Sequence, residues 1–207
     1  MRLLDIHTHN TCTDSTDSIL CSSVFIPERN ISIGIHPWNI TEEWKSFFTE
    51  IREHAQKENV IIIGECGIDR LKSPATLTLQ KEIFKAHALL AEEVKKPLII
   101  HCVKGYDDIL SVRKEIAPTQ AWIIHGFRGK PQQAEQLTKA GVYLSYGEKF
   151  NDDSLRATPL EMLFVETDES TTGVEDIYSL IAKKKGVEMR ELALQVIQNA
   201  ENCGIYL

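Results

Sequence analysis

A chain of 207 residues with 43% hydrophobic and 26% charged residues has the composition of an ordinary globular protein and is long enough to bury a sizeable core. Its formal charge of −7 argues against a surface that grips nucleic acid broadly through lysine and arginine, and leaves room for a local basic rim. No apolar run approaches the roughly 20 residues of a membrane span, and the apolar start stops at Asp5, so neither a span nor an export signal is expected and the expected address is cytoplasmic.

The first predicted element is a strand over 2–7 that runs into His7-Thr8-His9. Residues i and i+2 of an extended chain share a face, so the two imidazoles project together. They are either half of a divalent-metal site or a pair of surface histidines near a chain end. Residues 10–20 follow, polar and rich in Thr11, Thr13, Asp14, Ser15, Thr16, Asp17 and Ser18. They are too few for a helical crossover, so an irregular second strand is expected. Further strands are predicted at 21–26, 31–36, 60–66, 97–102, 121–126, 142–146 and 162–167, several of them continuous β-branched runs such as Val60-Ile61-Ile62-Ile63. Amphipathic helices are predicted at 41–58, capped at Thr41, and at 76–95, 106–116, 131–140 and 174–201, the last broken near Gly186.

This alternation implies a parallel α/β fold, and eight strands imply a compact (β/α)8 barrel of the TIM type, distorted by its shortened first βα unit. Such barrels run to about 250 residues, so economy in the early crossovers is required. No linker, repeat or low-complexity segment interrupts the chain, and 1–207 is expected to be a single domain. Cys12, Cys21, Cys66, Cys102 and Cys203 form no CxxC pair and are expected as free thiols, with Cys66 and Cys102 packed as inert hydrophobes.

Six apolar runs end in a histidine or a carboxylate: His7/His9, Gly34-Ile35-His36-Pro37, Gly64-Glu65-Cys66-Gly67-Ile68-Asp69, His101-Cys102, His125-Gly126 and Glu166-Thr167-Asp168. In a parallel barrel every strand C-terminus opens on one face, where such enzymes carry their sites. Imidazole with carboxylate suits zinc, manganese and similar ions, and so many donors exceed the needs of one tetrahedral ion, so two ions sharing a carboxylate are expected. A single structural ion, or a polar barrel mouth without one, is the other reading. His54 and His87 fall mid-helix and are expected at the surface or in packing.

In this order, HxH, GxHP, GExGxD, the runs ending in His101 and His125, and ETD resemble the TatD family, metal-dependent hydrolases of the amidohydrolase-like barrel superfamily whose studied members are described as deoxyribonucleases. The resemblance implies two divalent ions (zinc, manganese, magnesium or nickel): His7, His9, Glu65 and Asp168 hold one, and Glu65 bridges to a second completed by His101 and His125. It further implies hydrolysis of DNA phosphodiesters, with Asp168 orienting and deprotonating water. His36 is read as facing the substrate or leaving group, and Asp5 and Asp69 as residues that orient ligands or fix loops.

The chain departs from the family pattern where an arginine usually follows the histidine equivalent to His101 by two residues, since Val103-Lys104 stands there. It departs again at Arg128, where serine is common, and after Asp168, where Glu169-Ser170-Thr171-Thr172-Gly173 replaces a proline-containing loop. Arg70, Lys72, Lys104, Arg128, Lys130 and Lys149 fall on strand-end loops and are expected to ring the site, with Lys104 and Arg128 as contacts to a phosphate-bearing substrate. No obligate protein partner is expected. The alternatives are a hydrolase of a small amide, lactone or phosphoester metabolite, and a catalytically silent metal-binding relative.

Overall fold

The apolar runs are strands covered on both faces, and the structure, a computed structural model that describes residues 1–12 and 17–207, sets them in chain order around a barrel. The strands β1 (Asp5–Thr8), β2 (Ser18–Ser22), β3 (Ile31–Ile33), β4 (Val60–Asp69), β5 (Leu98–Val103), β6 (Trp122–Ile124), β7 (Val142–Tyr146) and β8 (Leu163–Val165) each pair in parallel with the next. The ring is closed at one end only. The Asp168 amide donates to the His7 carbonyl at 2.9 Å and the His9 amide donates to the Asp168 carbonyl at 3.0 Å. Two hydrogen bonds stand there in place of a ladder, and the residues they join are site residues.

The helices α1 (Trp44–His54), α2 (Leu77–Val94), α3 (Tyr106–Ile116), α4 (Pro131–Lys139) and α5 (Asp152–Ala157) cross between successive strands from β3 to β8. The helices α6 (Val174–Lys185) and α7 (Met189–Asn202) follow β8. Thr76 caps α2 by accepting from the Leu79 amide, and the predicted break at Gly186 is a left-handed residue at φ 73°. No helix among the described residues is long and apolar enough to cross a membrane.

The expected (β/α)8 architecture is therefore found, and its economy is greater than the sequence reading allowed. The expectation of no helix over 10–20 rests partly on Thr13, Asp14, Ser15 and Thr16, which lie outside the described residues; the described residues on either side are not helical. Between β2 and β3, where only residues 23–30 intervene, there is no helix. Eight residues reach about 26 Å when extended, enough to return past a strand of five residues without a helix.

Several boundaries differ. β2 begins at Ser18 and not at 21, because Val24-Phe25-Ile26, apolar as it is, serves as the return connection, and Val24 is exposed. Thr41 does not cap a helix: its carbonyl accepts from the Trp44 amide in a turn, and α1 starts after Glu43 with no side-chain cap. The sequence reading missed α5, although Asn151 followed by Asp152 and Asp153 is a capping signal, and Asn151 does accept from the Ser154 amide.

Packing under the helices is tight. Trp122 of β6 is fully buried, with Phe84 of α2 at 5.2 Å between ring centroids and the Arg113 guanidinium of α3 over its face at 5.3 Å. Burial of a side chain of that size stabilises by about 2–3 kcal/mol and locks two helices to one strand. His87 takes the packing alternative: it is fully buried on α2, its Nδ1–H donates to the Ile83 carbonyl and its Nε2 accepts from the Ile35 amide.

Candidate metal centre

Parallel pairing brings all strand C-termini to the end of the barrel where β1 and β8 meet, and the polar residues that stop the strands converge there on the carboxylate of Glu65. Glycine makes the convergence possible. Gly67 of β4 sits at φ 145°, and a Cβ on it would lie 2.1 Å from the His101 carbonyl oxygen. A Cβ on Gly64 would lie 2.2 Å from the Ile99 oxygen. Only a strand bare at these two points approaches β5 closely enough to set Glu65 beside His101.

The two oxygens of Glu65 face different donors. Oε2 is 3.3 Å from His7 Nε2, 3.4 Å from His9 Nε2 and 3.5 Å from the Cys21 sulfur. Oε1 is 2.6 Å from His125 Nε2, 2.8 Å from His101 Nδ1 and 3.1 Å from His36 Nε2. Donor atoms of His7, His9, Cys21 and Glu65 lie within 4.8 Å of one another, as do those of His36, Glu65 and His101 and those of His7, His125 and Asp168. The alternation that places His7 with His9 also places Cys21 inward from β2, a residue the sequence reading left among the free thiols.

Electrostatics divide the imidazoles by role. Burial opposes a charge on Glu65, but the imidazoles of His125, His101 and His36 outweigh it and hold the carboxyl well below its usual range. Burial likewise opposes a charge on His125, yet Glu65 and Glu166 on either side raise its basicity well above the usual value. His7 is lowered by burial and by His125, so it stays neutral. Both of its ring nitrogens are buried with no aligned hydrogen-bond partner. Buried polar atoms are rarely left so, and a neutral imidazole beside an ionised carboxylate is the donor set a divalent cation satisfies. The residues present fit such an ion, and its binding would displace the protons they share.

Outer contacts orient the inner ones. His101 Nε2 lies 3.2 Å from Asp69 Oδ2, so the proton-bearing nitrogen is held by a carboxylate and Nδ1 faces Glu65. Asp69 also accepts from the Trp38 indole at 2.6 Å and from the Leu71 and Lys72 amides. Burial works against its charge, and these donors overcome it and hold the carboxyl at about 2. Asp5 accepts from the Thr167 amide and hydroxyl at 2.9 and 2.7 Å and is also hydrogen-bonded by the His7 backbone, fixing the β8–β1 junction beside that ligand. Glu166, fully buried, accepts from the Gly126 amide at 2.6 Å and stands 3.6 Å from His125 Nδ1. Sequence reading gave it no role, though its place in Glu166-Thr167-Asp168 puts it on the same strand end.

His36 is distinguished by its tautomer. Its Nδ1 accepts from the Trp38 amide at 3.1 Å, so Nε2 carries the proton and faces Glu65 as a donor. A nitrogen in that state has no lone pair for an ion, which separates His36 from the other imidazoles although it lies among them. Asp168 has Oδ1 3.7 Å from His9 Nε2 and a carboxylate about a quarter exposed, at the open side of the cluster. Of the expected basic collar, Arg70 is tied to Asp108 at 2.6 Å and Lys72 lies over the Trp38 ring at 4.4 Å. Lys104 and Arg128 are exposed, and neither has an ion pair among the described residues.

The model of the family of TatD-related DNases matches residues 6–203. YcfH of Escherichia coli (strain K12), named a metal-dependent hydrolase, is 29% identical over 190 residues, covering 81% of this chain and 71% of that protein. The 3′-5′ ssDNA/RNA exonuclease TatD of Pantoea vagans is 25% identical over 193 residues, covering 81% and 74%. The crystal structure of YJJV, a TatD homologue from Escherichia coli K12, superposes with a TM-score of 0.85 at 17% identity over 98% of this chain and 97% of the other. A family match from the first strand to the last helix, on a barrel whose strand ends meet at a buried glutamate among imidazoles, makes this protein a member of the TatD family of metal-dependent hydrolases.

Proposed function

We propose that the protein hydrolyses phosphodiesters in single-stranded nucleic acid, using two divalent ions bridged by Glu65. The observation that carries the reading is the division of that carboxylate, one oxygen among His7, His9 and Cys21 and the other among His101, His125 and His36. One ion would be held by His7, His9, Glu65 and Asp168, the other by Glu65, His101 and His125. Bound there, the ions would supply Lewis-acid charge to the phosphoryl oxygens and lower the pKa of water.

The protein groups perform the rest. Asp168 orients the attacking water and accepts its proton at a carboxylate open to the mouth. His36, held as the Nε2–H tautomer by the Trp38 amide, would turn that N–H from Glu65 to the leaving oxygen once the carboxylate is taken up by the ions. Asp69 and Glu166 keep His101 and His125 turned inward. Lys104 and Arg128, exposed and without an ion pair among the described residues, meet flanking phosphates. Residues 1–207 act as one hydrolase domain in this reading. The relative named a 3′-5′ ssDNA/RNA exonuclease supports the substrate class.

The test is cleavage of a single-stranded DNA oligonucleotide by metal-stripped protein with magnesium, manganese or zinc restored. Asp168→Asn should lower kcat by about 10²–10⁴-fold, with bound metal measured alongside. Near-normal turnover in that variant would remove Asp168 from the chemistry. Lys104→Ala with Arg128→Ala should raise KM and leave bound metal unchanged; an unaltered KM ends their assignment. No cleavage by protein holding two ions would redirect the search to small esters and amides.

A further inference from the structure

We infer that Cys21 is a thiolate ligand of the ion on the Oε2 side of Glu65, making that position softer than its neighbour. The inference rests on the metal-centre reading above and adds to it a donor that neither the sequence pattern nor the relatives' names assign.

The distances carry it. Four donors arranged tetrahedrally about one ion, with nitrogen and oxygen at about 2.0–2.2 Å and sulfur at about 2.3 Å, stand about 3.3–3.6 Å apart. From Glu65 Oε2 the separations are 3.3 Å to His7, 3.4 Å to His9 and 3.5 Å to the Cys21 sulfur, the longest being the one that involves sulfur. The donor atoms of all four residues lie within 4.8 Å of one another. An independent observation points to the same place: His7 is fully buried there with both ring nitrogens unpartnered.

The fold explains why this thiol and no other takes the position. Cys21 pairs in register with Ser32 of β3, on the strand between the one that carries His7 and the one that precedes β4. Cys66 follows Glu65 directly and therefore points to the opposite face, with its sulfur toward the Ile99 carbonyl. The Cys102 sulfur lies where a Cβ on Gly105 would meet it, away from the cluster. Cys12 is exposed on the loop after His9.

Chemistry follows from the donor. On binding, the Cys21 S–H proton passes to solvent as the metal–sulfur bond forms, with no change of oxidation state. A thiolate favours zinc or cobalt over magnesium or manganese, so this position retains a soft ion while the Oε1 position, lacking sulfur, exchanges more freely. On the Oε1 side the His36 tautomer leaves Glu65, His101 and His125, an open set of three of the kind found where chemistry is done.

The test is spectroscopic. Metal-stripped protein is titrated with cobalt(II), and the near-ultraviolet thiolate-to-cobalt charge-transfer band is followed alongside bound cobalt measured by elemental analysis. The band should appear with cobalt uptake, persist in Cys12→Ser and vanish in Cys21→Ser, and zinc affinity in Cys21→Ser should fall at least about tenfold. Cobalt bound without the band, or a band that survives in Cys21→Ser, overturns the inference and leaves the dinuclear reading standing. No cobalt uptake overturns both. Should Cys21→Ser fail to fold, X-ray absorption of zinc-loaded Cys12→Ser decides: a sulfur at about 2.3 Å supports the assignment, and a shell of nitrogen and oxygen alone refutes it.

Discussion

At the scale of single residues, three imidazoles of the site are each held by an outer partner. Asp69 holds the proton of His101, Glu166 faces the far nitrogen of His125, and the Trp38 amide fixes His36 in the opposite sense. Glu166 is an outer partner whose contribution is readily isolated, because it holds the Gly126 amide and stands behind His125, away from the Glu65 oxygens. Glu166→Gln keeps an oxygen for the Gly126 amide and removes the charge beside Nδ1. Metal affinity should fall by about 10–100-fold, the usual cost of losing an outer partner of a ligand, with the fold preserved. Equilibrium dialysis against zinc checks this, and an unchanged affinity would mean that Gly126 alone is what Glu166 serves.

At the scale of elements, what matters is how closely β4 approaches β5. The same substitution at two glycines separates close approach from backbone conformation. Gly186 ends α6 at φ 73°, and a Cβ added there would meet nothing within 4 Å, so Gly186→Ala should cost about 1 kcal/mol, the left-handed penalty alone. Gly67→Ala adds a collision with the His101 carbonyl at 2.1 Å, and should cost about 3 kcal/mol or more while weakening metal binding through displacement of Glu65. Urea unfolding of both variants, with metal content measured on each, reads the difference; equal costs would show that β4 and β5 adjust freely.

At the scale of the whole molecule, stability should carry a pH dependence from His87, far from the ligands along the chain but tied to β3 through the Ile35 amide. Burial pushes His87 down to about 4, from an ordinary value of 6.5. Because the folded value is depressed, the unfolded chain takes up a proton first as pH falls. The stabilisation is complete above about 6.5 and is lost between there and about 4, amounting to about 3 kcal/mol across that window. His87→Gln should flatten this part of the profile relative to the parent chain when both unfold in the presence of chelator. Parallel profiles would show that His87 ionises in the fold.

The sequence by itself determined the barrel and the chemical character of its mouth, because both are written in local pattern. Continuous β-branched runs have one stable use, as strands covered on both faces, and a histidine or carboxylate at the end of each marks a common polar rim. The gathering of His7, His9, His36, Glu65, His101, His125 and Asp168 at one rim was legible for that reason, whereas the resemblance to a family, not the pattern, singled out six of them as ligands. Only the tertiary structure decided what depends on register and close approach between distant strands. Cys21 is an unremarked thiol until β2 starts at Ser18 and alternation turns it inward, and Val24-Phe25-Ile26 looks like a strand until the return to β3 claims it. The tautomer of His36, the hold of Glu166 beside His125 and the pairing of Arg70 with Asp108 are set by the folded chain, which alone fixes the distances between groups on different elements.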